Sequence, residues 1–141
     1  RYVLSTPDHV PLEVIGHYET PCGGSDTINN VDLVYSLVEE AHARGSHVLF
    51  ECNNPKHLVE LSKKAPLIVI SLTTAIEQCL EQLNRRRVIS GNKNKLNETF
   101  VRKFYEEEPK RIAKLSVAGV NTYCLVYGDA LDMVKEEFEC M

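Results

Sequence analysis

Three groups of residues have the types and spacing to do chemistry. Glu51 follows the apolar run His47-Val-Leu-Phe, and a carboxylate at the end of a buried strand is costly unless it is paired, hydrogen-bonded or close to a cation. An acid after four β-type residues is also a form in which carboxylates handle magnesium, directly or through water; the same pattern is found at ordinary strand ends. In Cys22-Gly23-Gly24-Ser25-Asp26-Thr27, two glycines let backbone approach a ligand, Ser25 and Thr27 supply hydroxyls, and Asp26 offers a base or a ligand. The competing reading is a turn in which Asp26 hydrogen-bonds locally. Arg85, Arg86 and Arg87 are consecutive guanidiniums, whose planar forks suit phosphate. A helix fans them over about 200°, so at most two reach one ligand. A solvated helix end complementing the dipole is the alternative.

Several chemistries are excluded by pattern. The phosphate-cradling G-x-x-x-x-G-K-[ST] is absent from the 141 residues, which contain no Gly-Lys pair at all. His9, His17, His42, His47 and His57 lack metal-ligand spacing, and the five scattered cysteines form neither a C-x-x-C nor a disulfide framework. They read as reduced thiols, several of them buried. The net charge of −4 argues against a general polyanion binder, but residues 85–114 carry ten basic side chains against four acids, leaving the remainder at −10. An anion would be drawn to that one basic, lid-like segment. No stretch has the roughly 18 apolar residues of a membrane span and no signal-peptide pattern opens the chain, so a cytoplasmic protein with no membrane partner is expected. The length suits one domain over residues 1–141.

Positioning these groups requires strands and helices in alternation. Leu12 to Tyr18 is a short β-rich run that feeds the glycine loop, and Asn29 or Asn30 caps a helix with apolar positions Val31, Val34, Leu37, Val38 and Ala41, closed by Gly45. The run through Val48-Leu49-Phe50 reads as a strand covered on both faces. Pro55 opens a short helix, Leu67 to Leu72 is strongly β-like, and Thr74 with Glu77 has the spacing of a capping box for a helix bearing the three arginines. A polar loop leads to a helix capped by Asn97 and interrupted by Pro109, with Glu106–Glu108 as a solvated face. Asn121 to Tyr127 reads as a last strand, with Asp129 capping a final helix. This is the pattern of a three-layer α/β domain with one mainly parallel sheet, strands near 13–18, 47–51, 67–72 and 121–127, and helices on both faces. Ligands of such sheets sit at the carboxyl ends of the strands, so Asp26, Glu51 and at least one of Arg85 to Arg87 are expected around a common cleft there.

Taken in order, Val14-Ile-Gly-His-Tyr-Glu-Thr-Pro-Cys-Gly-Gly-Ser-Asp-Thr-Ile, His47-Val-Leu-Phe-Glu-Cys and Ile70-Ser-Leu-Thr-Thr through Arg87 resemble the phage-type P-loop nucleotide and nucleic-acid kinases over about residues 12–138. These include thymidylate-kinase-like enzymes and relatives that phosphorylate 5-hydroxymethyluracil in phage DNA. The resemblance implies a P-loop NTPase-like kinase fold lacking its first strand and P-loop, with ATP and Mg2+ as cofactors. It places Glu51 on the Walker B-like acid, Asp26 on the acceptor-side acid, Arg85 to Arg87 on the lid arginines, and Cys22, Gly23, Gly24, Ser25 and Thr27 on the substrate loop. Cys52 stands where that family usually has Gly. The acceptor implied is a nucleotide or DNA. The family's P-loop strand is central, so without it bare strand edges would invite pairing, including a homodimer. The alternative is a P-loop-derived binding or assembly module without catalysis.

Overall fold

The structure is a computed structural model that describes residues 2–5, 7–17, 28, 30–52 and 54–139. It divides into two compact units, Arg1–Asn53 and Asn54–Cys140.

The first unit is a β-α-β element with one added strand. β1 (Tyr2–Leu4) runs antiparallel to β2 (Leu12–Ile15), and β2 runs parallel to β3 (His47–Phe50). Parallel strands need a crossover, and α1 (Val31–Ala43) supplies it. Asn30 caps α1, its Oδ1 accepting from the Asp32 and Leu33 amides at 2.9 and 3.4 Å. Gly45, at φ +83°, ends the helix in the left-handed conformation that a side chain would resist. Val34, Val38 and Ala41 recur at helical spacing and are buried, as is Ile15. Alternation along β2 puts Glu13 on the same face as Ile15, and Glu13 is buried too.

The second unit holds α2 (Pro55–Ser62), β4 (Ile68–Leu72), α3 (Ile76–Ile89), α4 (Glu98–Val117), β5 (Asn121–Leu125) and α5 (Tyr127–Glu139). β4 and β5 are parallel, paired from Ile68 with Asn121 to Leu72 with Leu125. Leu58, Leu61, Leu80, Leu115, Val120 and Ala130 are its buried apolar residues. Asn54 and Asn97 cap α2 and α4 through their side chains, and Pro55 takes the first helical position, where its missing N–H costs nothing.

Several expectations are corrected. The described strands pair as a three-stranded sheet within the first unit and a two-stranded sheet within the second, and β1 is an antiparallel member too short to carry a periodic signal. Within the first unit β3 pairs with β2, and Leu49 is exposed. The capping box at Thr74 does not form. Ala75 is the N-cap, which places Glu77 one residue too early to bond back to it, and Glu77 turns to Arg102 of α4 instead. Pro109 lies inside a continuous α4. The Arg111 guanidinium spans the turn that proline disturbs, donating to the Phe104 carbonyl at 2.7 Å and to Glu108 Oε2 at 2.8 Å. Glu108 is therefore not part of a solvated acidic face, since it also accepts from Ser71 Oγ at 2.8 Å. The last strand stops at Leu125; Tyr127 already belongs to α5, with Asp129 in its first turn and not at its cap. Of the described cysteines, Cys52 and Cys79 are half-buried and Cys124 is exposed, all as free thiols.

Candidate functional site

The carboxyl end of the β2–β3 pair is where the first unit gathers its candidate residues. Ile15 is in register with Phe50, so Gly16 and Glu51 leave the two parallel strands side by side. Gly16 is buried at φ +141°, a conformation that favours glycine, and it turns the chain toward the segment that holds the glycine loop. Cys22, Gly23, Gly24, Ser25, Asp26 and Thr27 lie outside the described residues, as does their proposed grouping around a cleft.

Glu51 follows β3 immediately and is exposed. This differs from the costly buried carboxylate that the apolar run suggested. An exposed acid at a strand end is accessible to a ligand without the desolvation that a buried one would have to overcome.

The backbone beside Glu51 is anchored from α1. Tyr35 lies in the first half of that helix; its hydroxyl is 2.7 Å from Cys52 Sγ, and its ring meets Phe50 edge-on with centroids 6.4 Å apart. Burial pushes the Tyr35 phenol well above its ordinary value, and the hydrogen bond and charge of Cys52 push it the same way. The phenol thus stays protonated, with its O–H available to the sulfur. Sequence reasoning noted Cys52 only as a departure from glycine and missed Tyr35, whose one signal was an aromatic residue one turn into a helix that follows a loop.

At the other end of α1 sits a group that sequence reasoning also missed. Arg44 grips the buried Glu13 with Nη2 at 3.0 and 2.9 Å from the two carboxylate oxygens and Nε at 3.3 Å. The pair ties the C-cap of α1 to the middle of β2, holding the crossover from behind while Tyr35 holds it in front. An acid at an inward-facing position of an alternating strand was the available signal.

Arg85, Arg86 and Arg87 lie in the last turns of α3, in the second unit. Arg85 and Arg86 are exposed. Arg87 is half-buried and committed to its own loop, donating to the Asn94 carbonyl at 3.2 and 2.7 Å and to Lys95 O at 3.3 Å. It closes the turn between α3 and α4, a role consistent with its facing away from Arg85 on the helix.

Among the described residues no three His, Cys, Asp or Glu side chains group together as a metal site. Magnesium in phosphoryl transfer usually takes only one or two protein carboxylates, the rest being phosphate oxygens and water, so Glu51 fits one such position. The nucleotide itself is a different matter. The 141 residues contain no Gly-Lys pair, and so none of the Walker-type amide and lysine cradle by which P-loop enzymes hold β- and γ-phosphates.

No protein-family model matches the chain, and no solved structure matches it. A curated protein does: the 5-hmdU DNA kinase of Pseudomonas phage PaMx11 is 40% identical over 91 residues, covering 61% of this chain and 48% of the relative. The chain has a phage kinase among its relatives. It spans about half the length of that curated protein. Among the described residues no helix is long and apolar enough to cross a membrane.

Proposed function

We propose that the protein phosphorylates the hydroxymethyl oxygen of a 5-hydroxymethylpyrimidine in DNA, with ATP as donor and Mg2+ as counter-ion. The observation that carries this is the 40% identity over 91 residues to a phage protein named 5-hmdU DNA kinase. The emergence of Gly16 and Glu51 from one end of a parallel strand pair supports it, since that is where open α/β sheets bind ligands. A P-loop kinase-like fold is part of the same reading, which assigns the β- and γ-phosphate cradle to sequence outside these 141 residues.

Transfer to a hydroxyl needs little covalent help from protein; it needs an acceptor held in line and charge compensation around the phosphoryl group. In this reading Glu51 orients the hydrated metal, Asp26 holds or deprotonates the acceptor hydroxyl, and the Cys22–Thr27 loop lies against the base. Tyr35 acts through Cys52 by fixing the backbone that presents Glu51.

The test is a labelled-phosphate assay on the longest natural reading frame containing this sequence. Acceptors are hydroxymethyluracil DNA, thymine DNA, hydroxymethyl-deoxyuridine monophosphate and thymidine monophosphate. Transfer to hydroxymethyluracil DNA with none to thymine DNA is the expected result. Preferred transfer to a mononucleotide would move the substrate to the nucleotide pool, and DNA binding without any transfer would make the protein a binding module.

A further inference from the structure

We infer that the elbow between α3 and α4 is a nucleic-acid contact surface that takes an unstacked base against exposed apolar side chains while its lysines neutralise the flanking phosphates. The inference rests on the reading that the acceptor lies in DNA, and it adds where the strand is held.

Charge is the first observation. Residues 85–103 contain seven basic side chains and the single acid Glu98, a local charge of +6 within a chain of net −4. Not all seven are available. Arg87 is spent on the loop carbonyls, and Arg102 forks onto Glu77 at 3.0 and 3.3 Å with Glu98 at 3.9 Å. Lys93, Lys95 and Lys103 are exposed and form no ion pair among the described residues. Cations left without acids on a surface otherwise rich in acids are an electrostatic footprint for a polyanion.

Exposed apolar surface is the second, independent observation. Val88 is 79%, Ile89 59% and Phe100 65% exposed, at the end of α3 and the start of α4. A solvated helical hairpin has no need of three large apolar side chains beside its lysines. The Phe100 ring stands 6.3 Å from that of Phe104, tilted by 30°, and Phe104 is itself covered by the Arg111 guanidinium at 3.7 Å from its centroid. Phe100 is therefore the exposed end of a short aromatic and guanidinium cluster, 65% exposed and of the type on which a flat ring stacks.

Basic side chains that follow a backbone, combined with an aromatic on which a base stacks, are the two requirements of single-strand recognition. The same combination serves an enzyme that must draw a base out of a duplex before acting on it. An apolar wedge with no charge would suit a protein partner, and charge with no wedge would suit duplex phosphates alone. The elbow has both. Arg87 keeps it shaped in the absence of nucleic acid, because its carbonyl contacts fix the 94–95 turn that carries Lys95.

Fluorescence anisotropy of the longest natural reading frame containing this sequence with labelled single-stranded, duplex and single-mismatch DNA, titrated in salt and without nucleotide, tests this. Replacing Lys93, Lys95 and Lys103 by Gln should flatten the slope of log K against log salt by about 2 for single strands, at roughly 0.7 per phosphate contact. Lys→Arg at the same positions should restore it. Phe100→Ala should weaken single-strand and mismatch binding by roughly tenfold or more with the salt slope unchanged. A Lys56→Gln/Lys135→Gln control should behave as wild type. Unchanged affinity and slope in the lysine variant, with helicity intact by circular dichroism, would overturn the inference; so would loss of binding to phosphatidylserine vesicles in the same variants with DNA binding retained. Because no phosphate transfer is measured, a protein that binds at the elbow and fails as a kinase would sink the proposed activity and leave this surface standing.

Discussion

The two units each contain an arginine forked onto a glutamate, through Nε and Nη2 in the first and through Nη1 and Nη2 in the second, and the two pairs differ most in depth. In the first unit Arg44 holds Glu13, whose side chain is 3% exposed; in the second Arg102 holds Glu77, whose side chain is 74% exposed. The distances are similar, 2.9 and 3.0 Å at closest approach. What differs is what remains when the arginine is removed. Glu13 would lose its guanidinium fork while staying inside the β2–α1 contact, whereas Glu77 would be hydrated at once. Closest distance alone therefore ranks the two as equal, and burial separates them.

That contrast is broken or sharpened most strongly by Arg44→Ala, expected to destabilise the first unit by about 2 kcal/mol, since it takes the charge-assisted fork from a carboxylate that stays buried. Urea denaturation with hydrogen exchange at α1 and β2 amides reads it, and a loss no larger than that of Arg102→Ala would contradict the ranking. Next comes Arg87→Ala, which removes charge-assisted bonds to two loop carbonyls and should cost about 1.5–2 kcal/mol, with faster exchange in residues 90–96. Asn30→Ala should cost about 1 kcal/mol through the α1 cap.

A pH titration distinguishes the front of α1 from its back. Tyr35 has a folded pKa raised above the ordinary phenol value of 10.0, so its contribution is present at lower pH and is lost as pH rises beyond 10, where the unfolded phenol ionises first. Wild-type stability should fall on that alkaline side, and Tyr35→Phe should flatten the fall. An identical alkaline slope in the variant would show that Tyr35 is not the titrating group. Arg102→Ala stands at the small end, the least costly of these changes and one whose effect vanishes in high salt.

Much of this arrangement is legible in the chain because it is local. Asn30 and Asn97 cap helices where their spacing to the following apolar residues indicates, Pro55 opens one, and Gly45 ends one at positive φ. Contacts distant in sequence are what the pattern does not carry. Glu77 has the right spacing from Thr74 for a capping box, yet a partner 25 residues away takes it. Pro109 should interrupt a helix, and Arg111 and Glu108 with Ser71 on β4 hold it together. Glu51 was read as buried because three apolar residues precede it, but apolarity in a strand says nothing about how many neighbours the strand finds. Arg85 to Arg87 look equivalent in sequence, and the loop carbonyls of residues 94 and 95 make Arg87 structural. Tyr35 and Arg44 escaped notice because a helix of ordinary amphipathic pattern does not announce which of its polar side chains grip the strands beneath.

The central claim is that the end of β3 carries an acid that serves phosphate transfer to hydroxymethylated DNA. The most direct test compares initial rates of labelled-phosphate transfer to hydroxymethyluracil DNA for wild type, Glu51→Gln and Lys135→Gln in the longest natural reading frame, at saturating acceptor. Loss of about 10²–10³ in kcat for Glu51→Gln, with Lys135→Gln at the wild-type rate and all three folded, is the expected result. Wild-type turnover by Glu51→Gln would contradict the claim.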